Sequence, residues 1–440
     1  MLFVMALVHG LVYLSLIPPW QGADEPLHFE SARLLAEYWR PLRPGDGLPE
    51  VRQAILDSMY QFRSGDFLRF TNSPPTLEQY ESTFFYDKDY VLTRFSLAYV
   101  PYAIAVRPFR DQSVTLQLYI MRLVSVIWGA SVVVMAFETA HLVAPHSPWF
   151  ALGTAWFVLF LPQHAHVTAS VSDGNLAELT ASITIYLLTK MMTAGLHWRQ
   201  VVLSIVLALV SALTKATALF LIPLVTVIVL ARAPERREHG LQIREWWKGL
   251  LALLLIAALG AALLSSYQMN FIWQKIGPNL DNLARLGRSL AALILDGRLS
   301  LALWATFRSF WVNLGWLAAP LPEPWYYALL ALSGCAVLGW AFRLRQQSWW
   351  TEKSSLHGMI GLAACLPTAV TLLWFVVSPD GIRFQQGRYL FAGIVPIAMV
   401  LVGGWLSWGP PRRVLWLVAA GLVLLDAVTL LTLAIPFFYP

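Results

Sequence analysis

Long apolar stretches recur along almost the whole chain, and they constrain its fold more than any other feature. A helix needs about 20 mainly apolar residues to cross the roughly 30 Å hydrocarbon core of a bilayer. Stretches of that length, or nearly so, lie at 2–17, 91–107, 114–140, 148–170, 175–194, 199–213, 217–231, 249–266, 325–342, 356–377, 388–407 and 414–434. Because backbone inside lipid must satisfy its own hydrogen bonds, the pattern predicts an all-α, polytopic membrane helix bundle of about 11–12 spans.

Composition argues against the soluble classes of protein. Of the 440 residues, 58% are hydrophobic and only 13% are charged, whereas soluble domains carry about 25% charged residues. A water-soluble enzyme, a disordered chain and a nucleic-acid-binding protein are therefore disfavoured. The formal net charge of +6 is explained by basic cytoplasmic loops, without a nucleic-acid partner. Cys335 and Cys365 lie in apolar runs, and two cysteines form neither a disulfide framework nor a metal-spaced set.

Basic residues in short loops predict the orientation of the spans, because such loops are enriched on the cytoplasmic side. The basic loops are 232–248, the stretch with Arg343 and Arg345, and the stretch with Arg412 and Arg413. With these three inside, the segments near 172, 266–324 and 378–387 fall outside. Counted forward from Met1, with the first helix entering from the cytoplasm, residues 18–90 also lie outside. The sequence thus predicts one transmembrane domain, residues 1–440, in the inner (cytoplasmic) membrane, with membrane lipids around it.

The region between 91 and 170 conflicts with this orientation. Three full spans there would place Asp173 inside, whereas the downstream basic loops require it outside. The stretch 91–107 is short and contains Pro101, so it is the weakest of the three candidates. Whether residues 91–107 cross the membrane stays open from the sequence alone.

The first outer loop is predicted to carry two juxtamembrane helices. Between residues 24 and 40 the apolar positions fall mostly on one helical face, namely Leu27, Leu34, Leu35 and Tyr38. This pattern suits a helix that lies on the outer leaflet. A second helical stretch follows around 48–62, and Pro74 and Pro75 then mark a turn-rich piece.

Two acidic residues and a histidine follow the first apolar stretch, in the order Asp24, Glu25 and His28. A structural interpretation is available, because Asp24 is a good helix N-cap and Glu25 favours a first turn. The functional alternative is a carboxylate at the membrane surface that serves as a general base or binds a divalent cation.

A second polar group precedes the predicted span at 175–194. Asp173 or Ser172 can cap that helix, or Asp173 can share a membrane face with Asp24. The pair His164 and His166 just before it supplies only two of the ligands that zinc needs, which is a weak metal signal.

Basic side chains on the predicted outer side require a separate explanation, because the enrichment of basic residues in cytoplasmic loops does not account for them. Lys215 joins two spans, and Arg383 and Arg388 lie in a loop that enters another. An anionic substrate group, most simply a phosphate, explains them. For Arg122, inside an apolar helix, we predict snorkelling or an internal ion pair instead.

These stretches together resemble the GT-C type of integral-membrane glycosyltransferases, which includes the protein O-mannosyltransferases, the lipid A aminoarabinose transferase and the oligosaccharyltransferase catalytic subunit. The matching features are the opening Asp24-Glu25-Pro26-Leu27-His28, the loop at Asp173, the junction Thr214-Lys215 and the stretch Gly387-Arg388-Tyr389-Leu390. The chain looks most similar to a group of bacterial membrane proteins in that class that share an Asp-Glu-Pro opening and a late Gly-Arg-Tyr element.

The resemblance implies a GT-C-like fold and an enzyme that moves a sugar from a polyprenyl-phosphate-linked donor to a lipid, glycan or protein acceptor on the outer face. Asp24 would be the catalytic carboxylate, with Glu25 supporting it. The substrate-binding residues would be His28, Asp173, Lys215, Arg383, Arg388 and Tyr389. Metal dependence differs within the class, so a divalent metal ion held by Asp24 and Asp173 is an open alternative, and no other cofactor is expected.

Two other functions stay open. A transporter or flippase of a lipid-linked sugar would place ionisable groups near the bilayer midplane, often within inverted repeats. A non-catalytic membrane subunit would need only caps and snorkelling side chains. The boundary positions of Asp24, Asp173, Lys215 and Arg388, and the lack of a visible repeat, favour the enzyme.

Overall fold

A computed structural model of the chain describes residues 1–67, 96–232, 294–345, 350–377 and 386–440. Its helices are α1 (Leu2–Leu16), α2 (Glu25–Tyr38), α3 (Pro49–Gln61), α4 (Tyr99–Val106), α5 (Val114–Val143), α6 (Pro148–Leu159), α7 (Pro162–Thr168), α8 (Asp173–Ala194), α9 (Trp198–Thr214), α10 (Leu221–Arg232), α11 (Arg298–Trp311), α12 (Glu323–Arg345), α13 (Trp350–Val377), α14 (Ile394–Trp405), α15 (Pro411–Val428) and α16 (Ile435–Phe438). Short 3-10 helices lie at Ser64–Phe67, Arg107–Phe109, Ala216–Ala218, Gly387–Gly393 and Leu406–Trp408, and a π-helix lies at Thr429–Ala434.

The predicted all-α membrane bundle is confirmed. Within the described ranges the only strands are two short ones, β1 (Asn313–Leu314) and β2 (Ala319–Pro320), which pair antiparallel. Four helical segments there are long and apolar enough to cross a membrane: Val114–Val143, Glu323–Phe342, Gly387–Trp408 and Pro411–Phe438. Further apolar helices are shorter: Leu2–Leu16, Pro148–Leu159, Trp198–Thr214, Ala216–Arg232 and Leu356–Leu372. The predicted span at 249–266 lies outside the described residues, so the total of 11–12 stays a prediction.

Contacts between helix ends define two ends of the bundle. At one end, here called the loop end, the segment after α1 meets the start of α8, since Val171 N donates to the Glu25 carboxylate. At the opposite end, Arg232 at the end of α10 donates to the Met192 carbonyl near the end of α8. Helices α8 and α10 therefore run in the same direction, and α9 returns between them.

The helices predicted in the first loop are present as α2 and α3, but the environment predicted for α2 is wrong. We expected one apolar face on lipid, whereas every residue from Glu25 to Ala36 is buried. A second apolar core encloses α2 with α3, α4 and part of α5, and includes Trp20, Phe29 and Ile55. A surface helix would have left its charged face in water, so the buried charges of α2 need partners.

Ion pairs make the burial of α2 tolerable. Glu30 is fully buried and pairs with Arg52 of α3 at 3.0 Å, and Arg33 pairs with Glu37 one turn away at 3.1 Å. Burial raises the pKa of Glu30, although the Arg52 guanidinium acts against that shift. Without Arg52, the Glu30 charge inside this second core would cost several kcal/mol.

Helix α4 addresses the conflict over 91–107. It has eight residues, which gives it a length of about 12 Å, well short of the roughly 30 Å core of a bilayer. It packs instead against α2 and α5, and its Tyr102 hydroxyl lies 2.6 Å from the Ser125 hydroxyl of α5. The described part of this stretch therefore forms no membrane-spanning helix of its own, which favours the lower span count.

Candidate functional site

The loop end brings together four charged residues that lie far apart in the sequence. They form two ion pairs, Asp24 with Arg388 and Asp173 with Lys215. The aromatic ring of Tyr389 lies close to both cations. Its centroid is 5.8 Å from Lys215 Nζ and 5.6 Å from Arg388 Cζ, within cation–π range of both.

Asp24 occupies the N-cap position of α2 but does not cap the helix with its side chain. Its backbone is left-handed, with φ of 63°, and no cap hydrogen bond forms. Its carboxylate instead accepts a 2.7 Å hydrogen bond from Arg388 Nη2, and Arg388 Nη1 donates to the Ala23 carbonyl at 2.9 Å. The Asp24 side chain is 38% exposed. The capping interpretation therefore does not describe the Asp24 carboxylate, which remains accessible.

Glu25, the next residue, is fully buried and fully bonded. Arg122 reaches its carboxylate through Nε at 2.8 Å and through Nη2 at 2.6 Å. The backbone N–H groups of Val171 and Gly22 donate to the same carboxylate at 2.9 and 3.3 Å. A bidentate arginine–carboxylate pair of this kind fixes the relative orientation of the two side chains and neutralises their charges.

Arg122 also donates to the carbonyl oxygens of Ile17 and Pro18, at 2.8 and 2.9 Å. The pair therefore joins the exit of α1, the start of α2, helix α5 and the turn before α8. The internal ion pair predicted for Arg122 is confirmed. The sequence indicates that an arginine in an apolar helix needs a nearby acid, but it does not identify Glu25 as that acid.

Ser172, and not Asp173, caps the N-terminus of α8, because Ser172 Oγ accepts a hydrogen bond from Gly174 N at 3.1 Å. Asp173 Oδ1 accepts a 2.9 Å bond from Lys215 Nζ, and His28 Nε2 lies 3.9 Å from the same oxygen. The other ring nitrogen of His28 is 3.0 Å from the Tyr99 hydroxyl. Asp173 and His28 are both buried.

Two crevices meet at Arg388. The cation crevice is lined by Ser172, Gly174, Glu178, Lys215, Thr217 and Arg388, together with Val167, Ala177, Phe391 and Ala392. The polar crevice is lined by Ala23, Gln163, His166, Ser170, Gly315, Gln386 and Arg388, together with Val167, Ser172 and Leu317. Another crevice lies at the opposite end, and apolar side chains such as Phe150 and Met399 line most of it. Its lining contains His357 but no carboxylate, lysine or arginine, so it is not the candidate site.

Glycine at 387 allows Arg388 to reach this position. A side chain at Gly387 would overlap the backbone of Phe310, and Gly387 N donates to Ser309 Oγ at 2.8 Å. The segment before α14 is thereby held against α11. The sequence signal for this contact was the glycine directly before Arg388.

The structure gives the two histidines of the weak zinc signal separate partners. His164 Nε2 lies 2.6 Å from Glu178 Oε1, while His166 Nε2 accepts from Gly315 N at 3.1 Å. No group of three or more His, Cys, Asp or Glu residues in the described ranges is arranged to hold a metal ion. Asp24 and Asp173 are each bonded to a basic side chain, so a metal ion held by these two residues stays a prediction.

Of the predicted site residues, Asp24, Asp173, Lys215, Arg388 and Tyr389 meet around the two crevices. His28 lies 3.9 Å from the Asp173 carboxylate, and Glu25 is buried beside the site. Arg383 lies outside the described residues. Sequence reasoning missed the neutral polar side chains of the second crevice, including Gln163 and Gln386, because uncharged residues carry little signal in a single sequence.

A family model described as "Predicted membrane protein (DUF2142)" matches residues 7–401. The chain belongs to the DUF2142 family. The matched region contains every predicted site residue from Asp24 to Tyr389, whereas α15 follows it. The DUF2142 description and the apolar helices together identify the chain as a membrane protein. No curated protein matches the chain at a significant level.

Proposed function

We propose that this DUF2142 chain is a glycosyltransferase that moves a sugar from a polyprenyl-phosphate-linked donor to an acceptor on the outer face of the cytoplasmic membrane. The observation that carries the proposal is that Lys215 and Arg388 both lie close to the Tyr389 ring, at 5.8 and 5.6 Å from its centroid. Both cations border one crevice, and each is oriented by a carboxylate. Two oriented cations at one crevice suit a phosphate group.

The leaving group explains why such a crevice would need two cations. When the bond between the anomeric carbon and the phosphate oxygen breaks, the phosphate keeps the electron pair and gains negative charge. Fixed positive charges stabilise that charge in the transition state more than in the ground state, which is what accelerates a reaction. Asp173 holds Lys215 in place through its 2.9 Å bond.

Asp24 is the group proposed to activate the acceptor. As the acceptor hydroxyl oxygen bonds to the anomeric carbon, its proton passes to the Asp24 carboxylate. This role needs an accessible carboxylate, and the Asp24 side chain is 38% exposed. Glu25 is a positioning residue in this mechanism. Its buried carboxylate is bonded to Arg122, and this pair fixes the backbone next to Asp24. No step in the scheme passes through a metal ion.

The test is a transfer assay on the purified full chain with a panel of radiolabelled polyprenyl-phosphate sugars. Asp24→Asn removes the charge at nearly constant shape, and general base catalysis is worth about 10²–10⁴-fold in rate. Asp46→Asn is the matched control, since Asp46 is also a carboxylate of the first loop bonded to an arginine, Arg40, at 2.6 and 2.8 Å. Asp46 does not line either crevice.

We expect the wild type and Asp46→Asn to release sugar, and Asp24→Asn to lose at least about 100-fold in rate. Equal rates for Asp24→Asn and wild type would remove Asp24 from the mechanism. If the wild type neither binds nor turns over any donor of the panel, the proposed activity is wrong.

A second candidate function, transport of a lipid-linked sugar, has one specific observation in its favour. His9 and Tyr13 of α1 both contact Asp426 of α15, at 2.9 and 2.7 Å, in apolar helices. Ionisable residues within apolar helices often mark transport paths, and a π-helix begins three residues later at Thr429. Movement of a labelled donor between leaflets of proteoliposomes, lost in Asp426→Asn and retained in Asp24→Asn, would favour transport over transfer.

A further inference from the structure

Buried polar atoms that lack partners belong to residues that line the polar crevice or lie next to it. Gln21 Oε1, His166 Nδ1, Gln386 Oε1 and Arg388 Nε form no hydrogen bond within the described part of the chain. Gln21 is fully buried and His166 is 2% exposed. Leaving one such group unpaired costs about 1–3 kcal/mol. Several at one crevice indicate a ligand that supplies the missing bonds.

The hydrogen-bonding roles of these atoms follow from the bonds already made. A backbone N–H can only donate, so His166 Nε2, which receives the Gly315 N–H, is unprotonated. In the neutral imidazole the proton is then on Nδ1, which makes Nδ1 a donor. Arg388 Nε is a second donor. The amide oxygens of Gln21 and Gln386 are acceptors.

Gly315 lines the polar crevice together with His166, Gln386 and Arg388. Its φ of 62° is in the region that favours glycine. A Cβ at this position would lie 3.7 Å from Gln21 Oε1, so the oxygen of the fully buried Gln21 lies next to the crevice at Gly315. The open space admits about one water-sized group.

A ligand for this set must both donate and accept hydrogen bonds. A phosphate oxygen fits poorly, because the two amide oxygens would face it without a proton between them. A hydroxyl group fits three of these four atoms, since it donates once and accepts twice. We propose that the polar crevice binds one hydroxyl group of the donor sugar and selects the sugar at that position. The inference rests on the proposed function, with the phosphate in the adjoining cation crevice and Arg388 bordering both.

The first experiment compares binding of two soluble probes to the full chain, citronellyl phosphate and citronellyl-phosphate-linked hexoses. We expect the best hexose conjugate to bind at least tenfold more tightly than citronellyl phosphate, and Gln386→Leu to remove that difference without weakening citronellyl phosphate. Gln53→Leu is the matched control, since Gln53 is exposed on α3 and bonds to Asp57.

The second experiment removes one hydroxyl at a time from the preferred hexose conjugate. One deoxy conjugate is expected to lose about tenfold or more in affinity for the wild type, and Gln386→Leu should bind that conjugate and its parent equally. If citronellyl phosphate binds as tightly as every hexose conjugate, the crevice holds only water and the inference is wrong while phosphate binding stands. If neither kind of probe binds, the proposed function itself fails.

Discussion

Asp24 and Glu25 are adjacent in the sequence and each pairs with an arginine, yet their surroundings are opposite. The Glu25–Arg122 pair is completely buried, and Glu25 accepts four hydrogen bonds. The Asp24 side chain is 38% exposed and is bonded to Arg388, which itself retains an unpaired buried Nε. A saturated ion pair can only hold structure, whereas an unsaturated one at a crevice can exchange its partner for a ligand. The difference separates the residue that positions from the residue proposed to react.

The largest expected effect comes from breaking the buried pair. Glu25→Gln leaves the Arg122 guanidinium buried without a counter-charge, and removal of one partner of a buried pair costs about 3–5 kcal/mol in the free energy of unfolding. Thermal unfolding of the purified wild type and variant in detergent measures this loss of stability. The control is Glu37→Gln, because Glu37 is 36% exposed and such pairs contribute about 0–1 kcal/mol. Equal midpoints for the two variants would contradict the structural role assigned to Glu25.

Replacing Arg122 or Arg388 by lysine tests the same difference between the buried pair and the partly exposed pair. Arg122 donates to two carbonyls and both oxygens of Glu25, a fork that lysine cannot reproduce. We expect Arg122→Lys to lower the unfolding free energy by about 2 kcal/mol or more, from two or more lost bonds. Arg388→Lys should unfold close to wild type but bind citronellyl phosphate about tenfold less tightly. The reverse pattern would exchange the roles given to the two arginines.

Asp24→Asn is expected to have a small effect on stability, in contrast to its effect on sugar transfer. The Asp24 side chain is 38% exposed although Arg388 is only 8% exposed. Because the asparagine oxygen can still accept from Arg388, which also keeps its bond to the Ala23 carbonyl, we expect a loss of about 0–1 kcal/mol, as for exposed pairs. Unfolding midpoints within about 3 °C of wild type are consistent with that range for a protein of this size. A large loss of stability in Asp24→Asn would mean that Asp24 is structural like Glu25, and the transfer assay would then lose its meaning for this variant.

The smallest expected effect concerns pH and a third carboxylate of the first loop. Hydrogen bonds from Arg40 hold the pKa of Asp46 below its usual value. A carboxyl group with a lowered pKa in the folded state stabilises the fold above its unfolded pKa of about 3.9 and loses that contribution as pH falls through the lowered value. Unfolding midpoints of Asp46→Asn should therefore converge with those of wild type as pH falls below about 4. Parallel curves down to pH 3 would show that Asp46 makes no such contribution.

The helical class of the fold could be predicted from the sequence because apolar runs of span length are a strong signal. The helices α2 and α3 also followed from local patterns. What failed was the placement of α2 on a lipid surface, since its amphipathic pattern does not reveal that α3 and α4 cover its polar face. The pairing of Glu30 with Arg52, which permits that burial, joins residues on two different helices.

For the candidate site, charged residues at helix boundaries were recognisable one by one, because ionisable groups are costly in an apolar chain. Their pairing was not, since Asp24 and Arg388 are 364 residues apart in the sequence. Glu25 is buried and Asp24 is accessible because Arg122 pairs with Glu25. The sequence showed only that Arg122 lies in an apolar helix. The neutral residues Gln21 and Gln386 carried no signal until the fold placed them at one crevice.

The length of α5 bears on the depth at which this chemistry would take place. With 30 residues, α5 is about 45 Å long, roughly 15 Å more than the hydrocarbon core of a bilayer. Its first turns contact the loop helices, since Thr115 lies 3.0 Å from Ser58 of α3. If the excess projects at that end, Arg122, about 12 Å from the start of α5, lies near the level of the lipid headgroups. A carrier lipid could then present its phosphate to Lys215 and Arg388 while its chain stays in the membrane.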